Sequence, residues 1–205
     1  MAFPLVEGTF DALIFDCDGT LVDSAPAHLS SIQQALAPLG LTMPPEWYAP
    51  RHGLGPDSLL DAYEADFNVS AIAREALWER NNAAYQASIP LIREITLVAD
   101  VARQWHGRVP MAVASNGVKE NVEASLQSTG LRDLFDTIVT APEVPQGKPA
   151  PDVYLEAARR MNVSPARCIV FEDSNEGLEA ARRAGMQAYD IREPVSSAPA
   201  SSDNP

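Results

Sequence analysis

The feature that most constrains the fold of this chain is a series of short, uninterrupted apolar runs. Their apolar residues are continuous and do not alternate with polar ones, which is typical of strands buried on both faces of a parallel sheet. The runs lie at residues 12–15 (ALIF), 109–114 (VPMAVA), 136–140 (DTIVT), 168–171 (CIVF) and 187–191 (QAYDI). We therefore expect five buried parallel strands.

Helical patterns separate the later runs from one another. Residues 118–129 end before Gly130, residues 151–162 begin with a proline, and residues 175–184 end at Gly185. Glycine just after a helix and proline in its first turn are common boundary residues. Strands that alternate with helices predict an α/β fold with a doubly wound, Rossmann-like core around a parallel sheet.

Residues 24–92 interrupt this alternation and contain no convincing strand. They show three sets of apolar residues at spacings of three, four and seven, which place each set on one face of a helix. The sets are Leu29, Ile32, Leu36 and Leu39; Leu59, Leu60, Tyr63 and Phe67; and Ile72, Ala76, Leu77 and Ala84. We predict a core of residues 1–23 and 93–193, an inserted all-helical cap of residues 24–92, and a flexible tail of residues 194–205.

Four acids follow two of the predicted strands. Asp16 and Asp18 come directly after the first strand, and Glu172 and Asp173 follow the fourth. Because ligands bind outside the carboxyl ends of strands in open α/β sheets, these acids are expected to share one cleft. Such a cluster requires a cation to neutralise it, and oxygen ligands without nearby His or Cys favour Mg²⁺.

Phosphate-binding groups follow the other strands. Ser115 and Asn116 come after the second strand, and Lys148 lies in the loop after the third. Hydroxyl, amide and ammonium groups are suitable partners for phosphate oxygens. Together with the acids they predict phosphoryl transfer, in which positioning and charge neutralisation supply most of the catalysis.

The two-residue spacing of the acids in DCD suits two separate roles. A carboxylate can attack phosphorus and form an aspartyl-phosphate. A second acid two residues further on projects to the same side of an extended backbone. It can protonate the leaving oxygen and later deprotonate the attacking water.

Four ordered motifs resemble those of the haloacid dehalogenase-like hydrolases that carry a helical cap. They are DCDGTLVDS, VASNG, GKPAPD and FEDSNEG, and the resemblance extends from about residue 10 to residue 192. It implies that Asp16 is the nucleophile and Asp18 the acid/base, with Ser115 and Lys148 binding phosphate.

The same resemblance implies a magnesium cofactor and a substrate class. Mg²⁺ would be held by Asp16, the Asp18 carbonyl and Asp173, supported by Glu172. Within the family the chain is similar to the branch of β-phosphoglucomutase and bacterial phosphatases acting on sugar phosphates such as fructose 1-phosphate and 6-phosphogluconate. The expected activity is Mg²⁺-dependent hydrolysis of small phosphomonoesters through an aspartyl-phosphate. The expected partner is a small phosphorylated metabolite.

Two residues of the predicted cap are candidates for substrate contact. His28 lies on the first cap helix, where mutase-like members of the family have a histidine that faces the active site. Arg51 lies in a glycine-rich stretch between two cap helices. Its guanidinium could bind a sugar, phosphate or carboxylate group of the substrate.

Two other functions remain open at this point. A phosphosugar mutase of the β-phosphoglucomutase type would share the core motifs, but such proteins usually use a cap lysine, and no lysine precedes Lys119. A phospho-accepting receiver domain also uses acids, a hydroxyl and a lysine, but its acceptor follows the third strand and it has no cap.

Composition limits the partners and the location. The 205 residues carry a net charge of −13, which opposes general binding to nucleic acid or to anionic membranes. The two cysteines, Cys17 and Cys168, form no disulfide framework. Apolar runs are shorter than the about 18 residues of a membrane span, and the N-terminus lacks signal-peptide features. We expect a cytoplasmic protein, either a monomer or a small homo-oligomer.

Overall fold

The computed structural model describes residues 9–192, so the predicted tail of residues 194–205 lies outside the described residues. The strands are β1 (Ala12–Phe15), β2 (Val22–Asp23), β3 (Arg93–Glu94), β4 (Met111–Ser115), β5 (Thr137–Thr140), β6 (Cys168–Glu172) and β7 (Gln187–Asp190). The helices are α1 (Ala25–Leu36), α2 (Pro45–Tyr48), α3 (Pro56–Phe67), α4 (Arg74–Ser88), α5 (Thr96–Trp105), α6 (Lys119–Ser128), α7 (Asp152–Met161) and α8 (Asn175–Arg183).

Five strands form a parallel sheet in the order β5-β4-β1-β6-β7. β1 is the central strand and pairs with β4 on one side and β6 on the other. Every residue of β1, β4 and β6 is buried, as their continuous apolar runs predict. The predicted α/β class, with a parallel sheet and a Rossmann-like core, is confirmed.

Four elements were not predicted from the pattern of apolar residues. Helix α5 buries one face, made of Val98, Ala99, Val101 and Ala102, whose alanines give only a weak apolar signal. Helix α2 is a single turn that begins at Pro45, directly after Pro44. β2 and β3 are two-residue strands that pair antiparallel with each other, and they are too short to show a period.

The chain divides into two compact units. The first comprises the described parts of Met1–Leu21, Ile95–Lys119 and Asp133–Pro205, and it contains the five-stranded sheet. The second comprises Val22–Glu94 and Glu120–Arg132. The predicted cap of residues 24–92 falls within the first segment of this second unit.

The second unit has its own apolar core, built by α1, α2, α3 and α4. Its largest fully buried side chains include Leu36, Leu60 and Tyr63. Three residues of the predicted helix faces are exposed: Leu39 at 45%, Phe67 at 41%, and Ala76. Among residues 9–192, no helix combines the length and the apolar character that crossing a membrane requires.

Helices α7 and α8 carry the same hexapeptide, LEAARR, at residues 155–160 and 178–183. In each copy the glutamate accepts hydrogen bonds from both arginines of that copy, at 2.6 to 2.7 Å. These bonds lower the pKa of Glu156 and of Glu179 to about 2. The repeat therefore places one ion-pair triad on the outer face of each helix.

Candidate active site

The carboxyl ends of three neighbouring strands bring the predicted site residues to one edge of the sheet. Asp16 follows β1 at once, while Ser115 ends β4 and Glu172 ends β6. The Asp16 backbone N–H donates to the Phe171 carbonyl at 3.0 Å and so extends the pairing of β1 with β6. Residues far apart in the sequence thereby meet where open α/β sheets bind ligands.

Lys148 is the buried cation of this edge. It lies in the loop between β5 and α7, and it is only 8% exposed. Its Nζ donates to Asp16 Oδ1 at 2.6 Å and to Glu172 Oε1 at 2.7 Å. Hydrogen bonds between ionised groups at such distances are among the strongest in proteins, so Lys148 fixes the position of the Asp16 carboxylate.

Four protein donors surround the Glu172 carboxylate. Its Oε1 accepts from Lys148 Nζ and from the Tyr154 hydroxyl, the latter at 3.1 Å. Its Oε2 accepts from the Ser174 backbone N–H at 2.7 Å and the Ser174 hydroxyl at 2.9 Å. A methyl group on Gly177 would overlap with this carboxylate. Because a carboxylate has roughly four lone-pair sites, these donors occupy the hydrogen-bonding capacity of Glu172.

Asn116 holds the backbone of Lys148. Its Nδ2 donates to the Lys148 carbonyl at 3.1 Å, and its Oδ1 accepts from the Lys148 N–H at 2.8 Å. The peptide bond between Lys148 and Pro149 is cis. The side-chain amide of Asn116 is committed to these contacts, and its predicted contact with phosphate stays a prediction.

The turn after β1 packs against Asp173. Gly19 has φ of 91°, a conformation that favours glycine, and a methyl group there would overlap with the Asp173 carboxylate. The next residue, Thr20, is fully buried and donates from its hydroxyl to Asp173 Oδ1 at 2.9 Å. The half-buried Asp18 lies directly before this turn.

Ser115 is buried at the end of β4. Its Oγ accepts from the Gly117 N–H at 3.0 Å, which closes a tight turn after the strand. The hydroxyl hydrogen is not used in that bond, because the oxygen is the acceptor. Ser115 can therefore still donate to an oxygen of a ligand.

Burial and mutual repulsion shift the pKa values of these groups. Burial, together with Glu172, Asp173 and Asp18, raises the pKa of Asp16 well above its ordinary value, although Lys148 opposes the shift. Burial and Glu172 also raise the pKa of Asp173. Burial alone would lower the pKa of Lys148, but Asp16 and its other neighbours hold it well above its ordinary value.

The donor set fits a hard divalent cation. Asp16, Glu172 and Asp173 offer carboxylate oxygens that all lie within 4.8 Å of one another. Three carboxylates against the single ammonium of Lys148 leave an excess of negative charge. A divalent cation would remove this excess and lower the raised pKa values, and oxygen-only ligands favour Mg²⁺. Asp16 and Asp173 are better placed to bind it than Glu172, whose oxygens already have four donors.

The two cap candidates make defined contacts within the second unit. The His28 ring lies 4.7 Å from the ring of Tyr85, centroid to centroid. Arg51 donates to the Trp47 carbonyl at 3.0 Å and to Asp66 Oδ2 at 3.2 Å, and its guanidinium stacks on the Trp47 ring. The contact of His28 or Arg51 with a substrate stays a prediction.

Cys17 lies between the two acids that follow β1, but its side chain is part of the core. It is fully buried, and burial raises the pKa of its thiol well above the ordinary value. Burial also raises the pKa of Cys168 to about 11. Since the thiolate is the reactive form, both cysteines act as small core residues.

Sequence reasoning did not identify Thr20 or Tyr154 as residues that contact the site. Thr20 stands next to the acid motif but offers only a common hydroxyl as a signal. Tyr154 lies on the buried face of α7, where an aromatic residue is usually part of the core. The one indication of a role for Tyr154 in the sequence was that a buried phenol hydroxyl needs a hydrogen-bond partner.

The chain is similar to proteins of known activity and structure. It is 37% identical over 187 residues to the fructose-1-phosphate phosphatase YqaB of Escherichia coli, covering 89% of this chain and 97% of that protein. It is 27% identical over 182 residues to the phosphorylated carbohydrates phosphatase of Thermotoga maritima, covering 86% of this chain and 82% of that protein.

A solved structure and a protein-family model are also similar to this chain. The crystal structure of CbbY from Rhodobacter sphaeroides in complex with phosphate superposes with a TM-score of 0.75 at 26% identity, covering 87% of this chain and 84% of that one. Residues 10–185 match the haloacid dehalogenase-like hydrolase family. With the acid pair after β1, the lysine before α7 and the acids at the end of β6 in place, the chain belongs to the haloacid dehalogenase-like hydrolases.

Proposed function

We propose that this hydrolase is a Mg²⁺-dependent phosphatase of small phosphomonoesters, with sugar phosphates as its substrates. The observation that carries the proposal is the buried Asp16 carboxylate, held by Lys148 Nζ at 2.6 Å within a cluster of oxygen ligands. The sugar-phosphate class is supported by the relative of 37% identity that is named a fructose-1-phosphate phosphatase.

The reaction proceeds in two displacements at phosphorus. A carboxylate oxygen of Asp16 attacks phosphorus, the bond to the ester oxygen breaks, and Asp18 donates its proton to that oxygen. Asp18 then accepts a proton from water, which attacks the aspartyl-phosphate, and the bond from phosphorus to Asp16 breaks. Ser115 donates to a phosphate oxygen. Lys148 offsets the negative charge that the phosphate brings next to Asp16.

Mg²⁺ bound by Asp16, the Asp18 carbonyl and Asp173 would neutralise charge on the phosphate oxygens. Glu172 supports this site indirectly, because its oxygens hold Lys148 and the start of α8. Asn116 places the Lys148 backbone with its side chain, so its own contact with phosphate would come from its backbone amide.

In this proposal residues 24–92 act as the cap that selects the substrate, with His28 and Arg51 as candidate contacts. A mutase of the β-phosphoglucomutase type is the rival reaction. The only lysines of the chain are Lys119 and Lys148, and neither lies in residues 24–92. The absence of a cap lysine favours hydrolysis over a mutase reaction that must rebind a bisphosphate. The family match is to a hydrolase, which leaves the receiver interpretation without support.

A panel of phosphorylated metabolites tests the proposal. The enzyme with Mg²⁺ should release phosphate from fructose 1-phosphate or another sugar phosphate, and EDTA should stop the release until Mg²⁺ is restored. Asp16→Asn should abolish turnover with an unchanged circular dichroism spectrum. The matched control is Asp23→Asn, which changes the exposed third aspartate of the same stretch and should retain activity. Substantial turnover by Asp16→Asn would refute the nucleophile, and conversion of β-glucose 1-phosphate to glucose 6-phosphate without phosphate release would favour the mutase.

A further inference from the structure

Tyr154 contacts both charged partners of the Lys148–Glu172 pair. Its side chain is fully buried on the face of α7 that packs on the sheet. Its hydroxyl donates to Glu172 Oε1 at 3.1 Å, the same oxygen that accepts from Lys148. Its ring faces the ammonium, with Nζ 4.8 Å from the ring centroid. One aromatic residue thus contacts the cation with its ring and the anion with its hydroxyl.

Lys148 is shared between two carboxylates that compete for it. Its Nζ lies 2.6 Å from Asp16 Oδ1 and 2.7 Å from Glu172 Oε1, so small changes in the charge on either oxygen shift its position. The Tyr154 hydroxyl withdraws charge from Glu172 Oε1 and so weakens its attraction for the ammonium. The ring face attracts the same ammonium and limits its movement.

We propose that Tyr154 is a positioning residue that keeps Lys148 on the nucleophile Asp16. The inference rests on the proposed function, since the position of Lys148 matters to turnover only if Asp16 attacks phosphorus. Without the hydroxyl, Glu172 Oε1 carries more charge and draws Nζ away from Asp16. The attacking oxygen then loses the contact that orients it, and the chemical step slows while substrate binding changes little.

Two substitutions separate the hydroxyl from the ring. Tyr154→Phe removes only the hydrogen bond to Glu172, whereas Tyr154→Leu also removes the ring face beneath the ammonium. The matched control is Tyr63→Phe in the second unit. Tyr63 is also buried, and its hydroxyl donates to the Thr42 carbonyl at 2.7 Å, so the control loses a tyrosine hydroxyl bond that involves neither Lys148 nor Glu172.

Steady-state kinetics give the first measurement. Tyr154→Phe should lower kcat about tenfold and change KM by less than about twofold, because a hydrogen bond to a charged group is lost at the chemical step. Tyr154→Leu should lower kcat further. Tyr63→Phe should leave both constants unchanged. A Tyr154→Phe enzyme with wild-type kcat would overturn the proposal, as would an equal loss of kcat in Tyr63→Phe.

Lysine-specific ¹³C NMR gives a second measurement that needs no turnover. Because the chain has only two lysines, labelling of the lysine ε-carbon yields two resonances, and the partly exposed Lys119 serves as an internal reference. Tyr154→Phe should shift the Lys148 resonance and leave that of Lys119 in place. Tyr154→Leu should move the Lys148 ε-protons downfield, since they lose the shielding of the ring.

The two measurements distinguish the possible failures. A wild-type enzyme that hydrolyses no phosphomonoester would refute the proposed function, while the Lys148 resonance would still show whether Tyr154 positions the ammonium. An active wild type with an unshifted Lys148 resonance in Tyr154→Phe would refute the positioning role alone.

Discussion

Replacement of Gly177 by alanine should damage the active site through a single methyl group. Gly177 is the third residue of α8, and its N–H donates to the Ser174 hydroxyl at 3.0 Å. A methyl group on its α-carbon would occupy the place of the Glu172 carboxylate. Glu172 would have to rotate away, because the alternative is a displacement of the helix that carries the new side chain.

The magnitude follows from the bonds that Glu172 would lose. Rotation breaks at least its bonds from Lys148 and Tyr154, and each hydrogen bond to a charged group contributes about 1.5 kcal/mol at the low end of its range. Alanine offsets about 1 kcal/mol of this loss because it favours a helix over glycine. The free energy of unfolding should therefore fall by about 2 kcal/mol, although helix propensity alone predicts a gain.

Urea unfolding followed by circular dichroism measures this change, and phosphate release measures its effect on catalysis. Activity should fall by at least about tenfold, because a displaced Glu172 no longer holds Ser174 and the start of α8 directly after the proposed metal ligand Asp173. The control is Gly53→Ala, at a glycine of the second unit with no atom near the added methyl group, and it should change stability by less than about 0.5 kcal/mol. A stabilised, fully active Gly177→Ala enzyme would refute the claim that Glu172 is fixed by close packing.

Two further predictions concern the acid cluster and the outer helices. Thr20→Val removes the hydrogen bond to Asp173 but keeps the shape of the side chain at position 20. The Kd for Mg²⁺, measured by calorimetry, should therefore rise about tenfold. An unchanged Kd would show that the bond does not orient Asp173. The pKa values of Glu156 and Glu179 are about 2 in the folded protein, below the ordinary value of 4.5. The ion pairs of these glutamates therefore stabilise the folded state above pH 4.5, and this stabilisation is lost as the pH falls towards 2. Over this range the urea midpoint of the wild type should fall more than that of the Glu156→Gln/Glu179→Gln double variant, and parallel curves would contradict the prediction.

The sequence was sufficient to predict where the core site residues meet. Continuous apolar runs located β1, β4 and β6, and the rule that parallel strands present their carboxyl ends at one edge brought together residues more than a hundred positions apart. Lys148 is expected near Asp16 because the loop that follows the third strand of the sheet begins at the same edge. Their direct contact, with Lys148 Nζ 2.6 Å from Asp16 Oδ1, was not predicted as such and is a finding of the structure.

Contacts that depend on the rotation of one helix could not be predicted. Tyr154 reaches Glu172 because of the angle at which α7 packs on the sheet, and a helical period of apolar residues does not specify that angle. The four donors on Glu172 depend likewise on the close approach of α8 at Gly177. In the second unit, Arg51 has partners in Trp47 and Asp66 that sequence spacing does not reveal.

The central position of β1 has a consequence for how the chain folds during synthesis. β1 leaves the ribosome early, but its partner β4 follows only about 100 residues later, so both edges of β1 remain unpaired for several seconds at typical rates of elongation. An unpaired apolar strand is prone to join other chains. Asp11 before β1 and the acids Asp16 and Asp18 after it flank ALIF with negative charge, which discourages such association. The acids proposed to act in catalysis thus also place negative charge beside the unpaired strand of the nascent chain.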